Sequence, residues 1–173
     1  MTGAISRDDF YTASLGLIAM WITSQGTRLE TPNLAELQWI EEELANSVKL
    51  VAQFTGVQSE KLPALLDLDS AWTVFCSEVS STDGTKINAA INAVGMAFGQ
   101  SLVNSLGLLW VAATDEAGCE IAVVGLPGKA NFLVYPANFV AKRWERRETG
   151  FLVGASGFIA EQYAQFRAEY AAS

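Results

Sequence analysis

One chemically versatile side chain is missing from this sequence: the chain contains no histidine. Ser-His-Asp and Cys-His acyl-transfer constellations need an imidazole to carry the proton, and histidine-based zinc sites need one as ligand, so these classes are excluded. The two cysteines, Cys76 and Cys119, are too distant in sequence for a thiolate cluster. Both lie among apolar residues, where a thiol behaves as a small hydrophobe. The carboxylates with suggestive spacing are Asp67, Asp69 and Glu78. Asp67-x-Asp69 lacks the glycine and distal glutamate of a calcium loop, and helix capping explains the pair better. A histidine-free enzyme would need carboxylate or lysine acid–base work, with Glu78 or Glu120 as the group of raised pKa. No catalytic, metal-binding or cofactor-binding set emerges.

The strongest local contrast is basic. Lys142, Arg143, Arg146 and Arg147 are four of the chain's eleven lysines and arginines, inside a sequence of net charge −8. On a helix, Lys142 and Arg146 share one face, as do Arg143 and Arg147. Cations in a last helical turn also complement the helix dipole, which is the structural alternative to an anion or acidic-partner site. Elsewhere acid dominates: residues 1–70 hold ten carboxylates against Arg7, Arg28, Lys49 and Lys61. Nucleic acid and anionic membrane surfaces are poor partners for such a chain, because both demand a basic stripe. Asp8 and Asp9 stand where a signal peptide would carry basic residues, and Leu15 to Ile22 is too short an apolar run to span a bilayer. These features predict a cytoplasmic protein whose partner is another protein.

The elements that must position these residues follow from periodicity. At 173 residues and 50% hydrophobic content, a single packed domain is expected. Ser6-x-x-Asp9 caps a predicted first helix carrying Tyr11, Leu15, Ile18 and Ile22, closed by Gly26. Thr31-Pro32 opens a second, with Leu37, Ile40, Leu44, Val48, Val51 and Phe54 ending at Gly56; together they form a helical pair over 1–57. A short helix through Glu78 contains Trp72 and Phe75. A long one runs from about Thr85 to Leu106, and its Gly95-x-x-x-Gly99 leaves room for close backbone approach. After Gly107 the apolar period falls to 2. Leu108 to Thr114, Cys119 to Val124 and Asn131 to Tyr135 then read as an antiparallel meander. Pro136 opens a helix through about Arg147, and Ser156 caps a last one over 156–172. The predicted fold is α+β, with helices on one face of a small three-stranded antiparallel meander.

Gly95-Met96-Ala97-Phe98-Gly99, Gly107-Leu108-Leu109-Trp110, Asp115-x-x-Gly118, Tyr135-Pro136 and Lys142-Arg143 together resemble a bacterial family known only as domain of unknown function 3806. The resemblance covers roughly residues 85–147. It implies a bacterial source and carries no activity. Small size, acidity and abundant tryptophan instead suggest a noncatalytic protein-binding module, such as a toxin-neutralising immunity protein with a decoy surface for a basic partner. The alternative is a small-ligand sensor or histidine-free enzyme, with a carboxylate-lined pocket between the meander and the helices.

Overall fold

A computed structural model describes residues 20–22, 26–129 and 131–171, the side chains of 20–22 excepted. Five helices and five strands are present among them: β1 (Met20–Ile22), β2 (Arg28–Glu30), α1 (Leu34–Thr55), α2 (Leu65–Glu78), α3 (Gly84–Leu106), β3 (Leu109–Asp115), β4 (Gly118–Gly125), β5 (Phe132–Val134), α4 (Pro136–Glu145) and α5 (Leu152–Ala171). The architecture is α+β.

Local chemistry sets most boundaries. Asn33 and Glu36 form a reciprocal capping box at the start of α1: Glu36 N–H donates to Asn33 Oδ1 at 3.0 Å, and Asn33 N–H donates to Glu36 Oε2 at 2.7 Å. The cap is therefore Asn33 and not Thr31. Asp83 caps α3 by accepting from Lys86 N–H at 3.2 Å and pairs with the same residue's ammonium at 3.0 Å. Gly107, at φ +70°, turns the chain left-handed and stops α3 where the apolar period changes.

The expected meander is the centre of a larger sheet, with strand order β1-β5-β4-β3-β2 and every pair antiparallel. The three-stranded expectation is thereby corrected. Met20–Ile22 falls inside the segment expected to be the first helix, yet it pairs with Leu133 and its neighbours in β5. Residues 8–19 and 23–25 of that expected helix lie outside the described residues. Arg28–Glu30 pairs with Ala112 to Thr114 in β3. Strands of three residues are too short to show a period, and their hydrogen-bonding partners lie far along the chain.

The helices pack on the sheet face that carries Val123, Phe132 and Val134, around the fully buried Trp72, Phe98, Phe139 and Leu152. Burying each such side chain contributes roughly 1.5–3 kcal/mol. Alternate residues of the same strands (Val111, Ala113, Ala122, Val124 and Leu133) form a second buried cluster on the opposite face. The sheet is thus apolar on both sides. Two glycines let α3 come close to its neighbours. A Cβ on Gly95 would stand 2.7 Å from the Ala137 Cα, and one on Gly99 would collide with the Trp110 ring and with Pro136. Trp110 is held there by its indole N–H donating to Gln100 Oε1 at 2.9 Å. Close approach of α3 to both α4 and the sheet is what that spacing achieves.

Candidate functional site

The basic run does not form one surface, because α4 ends inside it. Arg147 adopts φ +55°, with its N–H donating to the Trp144 carbonyl at 3.0 Å and Glu148 N–H donating to the Arg143 carbonyl at 2.9 Å. This is a Schellman closure with arginine in the left-handed position usually given to glycine. The helical spacing that would align Arg143 with Arg147 is broken there. Arg147 lays its guanidinium over the Trp144 ring, 3.7 Å from the centroid. Arg146 is exposed and reaches Glu148 at 3.7 Å.

Arg143 is only 4% exposed. Its Nε pairs with Glu148 Oε2 at 2.8 Å, and its guanidinium lies 4.4 Å from the Phe139 ring centroid. Burial pulls its pKa below the ordinary arginine value, and the Glu148 carboxylate opposes that shift. A partner cannot reach it. Glu148 gathers several elements at this point, since its carbonyl also accepts the Trp72 indole N–H at 3.0 Å. Three residues before Trp72, the buried Asp69 spans to the first turn of α5. Its Oδ1 accepts from Leu152 N–H at 3.0 Å and its Oδ2 from Val153 N–H at 3.2 Å. Asp69 does cap a helix, but a remote one, which explains why α5 begins at Leu152 and not at Ser156.

The other side of α4 is different. Asn138, Ala141, Lys142 and Glu145 line a shallow, open cleft of about 570 Å³, facing Ile91 and Asn92 of α3 and Glu120 of β4. Because β5 stops at Val134 while β4 starts at Gly118, α4 occupies the place beside β4 where another strand segment would lie. Glu120 thereby meets the start of α4. Its carboxylate accepts hydrogen bonds from the Asn138 side-chain amide and backbone N–H. It serves as the N-cap that Tyr135 does not supply. Burial pushes its pKa above the ordinary carboxyl value; the Asn138 bonds and the Lys142 ammonium hold it down, while Asp115 raises it further.

Of the residues singled out from sequence, Lys142 and Glu120 come together in this cleft, while Arg143, Arg146 and Arg147 do not line it. Glu78 is exposed at the end of α2, also away from the cleft. Cys76 is half-buried, and burial lifts its thiol to about 11, well away from a reactive thiolate. Cys119 is exposed, contrary to its apolar sequence surroundings. Among the described residues, no three His, Cys, Asp or Glu side chains converge on a metal-sized site, and no helix is long and apolar enough to cross a membrane. Asn92, Asn138, Glu145 and Glu148 escaped sequence reasoning. The polar spacing Asn138-x-x-x-Lys142-x-x-Glu145 along one helical face was the available signal.

A family model described as a domain of unknown function (DUF3806) matches residues 67–154, from the first turn of α2 to the first turn of α5. The match covers just over half of the chain, and the chain belongs to that family. A crystal structure from Bacteroides thetaiotaomicron VPI-5482 is similar, at a TM-score of 0.59 and 17% sequence identity. The likeness covers 78% of this chain and 47% of that one, so this chain spans about half the length of that structure and shares its fold. No curated protein matches the chain significantly.

Proposed function

We propose that this member of the DUF3806 family is a noncatalytic protein-binding module that receives a basic, partly apolar partner on the first three turns of α1. The observation that carries this reading is the exposure of Leu34 and Leu37, at 72% and 41%, on the helix that also presents Glu41 and Glu42. No lysine or arginine occurs from Leu34 to Val48, so every charge that this span of the helix carries is negative. Glu30, at the end of β2, is ion-paired with Arg28 at 3.1 Å and adds no net charge. Exposed leucines beside carboxylates favour a partner that brings both cations and apolar side chains. The charges accelerate encounter, and the leucines supply area to bury. Neutralisation of a basic toxin is the specific role that fits such a surface.

The test compares capture of a basic protein from host lysate by the wild-type chain, by Glu41→Lys/Glu42→Lys and by Glu161→Lys on α5 as a control. Loss of the partner with the α1 variant alone supports the assignment. Equal capture by all three chains contradicts it.

A further inference from the structure

Helix α1 carries two apolar rows. One faces the core through Ile40, Leu44 and Val51. The other faces outward: Leu34, Leu37, Glu41, Ala45, Val48 and Ala52 follow one another at three- and four-residue spacings and share a sector of roughly 80° on the helix surface. Leu34 and Leu37 are 72% and 41% exposed, Glu41 and Ala45 are exposed, and Val48 and Ala52 are half-buried. The row extends over roughly 27 Å, about five turns of helix. Bulky and small residues mix along it, which leaves hollows that the side chains of a second helix can fill. A strand, whose side chains repeat every two residues, matches that spacing poorly.

The charge on this row is available. Glu41 interrupts it near its middle and Glu42 flanks it, both exposed, and among the described residues neither pairs with a cation. Their charge is felt within the helix itself. Burial pushes the Glu43 carboxyl above its ordinary value, a bond from Asn46 opposes the rise, and the Glu42 carboxylate adds to it. Two copies of the chain joined along this row would bring four of these carboxylates together. No lysine or arginine from Leu34 to Val48 would offset them, so a second copy is a poor occupant.

Taking α1 as the partner surface, we infer that its occupant is an amphipathic helix of another protein, laid along the outward row with a lysine or arginine at its centre. Apolar side chains of that helix, one turn apart, seat among Leu34, Leu37 and Val48, and the central cation reaches Glu41 and Glu42. The apolar contacts supply the affinity, and the cation fixes the register.

The experiment is an amide-shift titration of the ¹⁵N-labelled full chain with three synthetic amphipathic peptides of leucine, alanine and glutamine. The first carries two lysines at its centre and the second two glutamates there. The third has the composition of the first, in an order that spreads its leucines round the helix. The lysine peptide is expected to shift Leu34, Leu37, Glu41, Ala45 and Val48 together, and the other two should bind about tenfold more weakly. Glu41→Lys/Glu42→Lys should reverse the preference between the lysine and glutamate peptides, which a merely misfolded variant would not do. Shifts confined to other elements, or equal binding of the lysine peptide and either control, would overturn the proposal. A dimer in sedimentation that Leu37→Glu dissociates would overturn it in favour of a second copy. Absent shifts, with lysate capture still dependent on Glu41 and Glu42, would overturn the helical occupant alone; absent shifts without such capture would overturn the α1 surface as well.

Discussion

Lys142 and Arg143 are adjacent in sequence, yet they belong to opposite faces of α4 and obey different physics. Arg143 is buried against Phe139, ion-paired to Glu148 and tied through that residue to Trp72. Lys142 faces an open cleft beside Glu120 and Glu145. A cation removed from the first environment takes away the short ion pair of Glu148 and leaves a hole among aromatic rings. A cation removed from the second leaves no such hole, because that side of the helix is open. Charge density along a sequence cannot separate these cases, because the helix rotates successive residues by roughly 100° and only packing decides which face is covered.

Arg143→Ala is expected to be the most damaging substitution, at about 3 kcal/mol or more. Chemical denaturation would measure it, and a small effect would mean that the Glu148 junction is dispensable. Asp69→Ala comes next, at about 2–3 kcal/mol, because it strands two N–H groups at the start of α5. Hydrogen exchange at Leu152 and Val153 should accelerate well before exchange in α3 does.

Glycines extend the same contrast between closed and open faces. Gly95→Ala should cost about 2 kcal/mol, since its Cβ would meet the α4 backbone. Gly154→Ala, where a Cβ meets open space, should stabilise by about 0.5–1 kcal/mol. Melting temperatures moving in opposite directions would confirm the distinction. A similarly small effect is expected at Glu120. Glu120→Ala should lower stability by about 1 kcal/mol through loss of the α4 cap, whereas Glu120→Gln keeps an acceptor for Asn138. A carboxyl with a raised folded pKa favours the fold while protonated, and that contribution is lost as pH rises from the unfolded value through the folded one. Glu120→Gln should therefore gain on the wild type as pH rises above the ordinary carboxyl range.

Much of this was legible in the sequence, for identifiable reasons. The long α3 helix announced itself through six turns of apolar period between Asp83 and Gly107, and the central hairpin through alternation around Asp115 to Gly118. The edge strands β1 and β2 did not, since three residues carry no period and their partners are distant. The site was less legible still. Glu120 could be named as a carboxylate of raised pKa, but its role depends on α4 lying beside β4. Asp69 could be named as a cap, but its helix begins more than eighty residues later. Both caps are tertiary, and local sequence rules describe only a helix's own neighbours.

The division of α4 into a buried and an open face is tested most directly by thermal melting of Lys142→Met and Arg143→Ala side by side. The expected result is a melting temperature within about 2 °C of wild type for Lys142→Met and a fall of roughly 10 °C for Arg143→Ala. Equal losses in the two variants would contradict the division and return the basic run to a single structural unit.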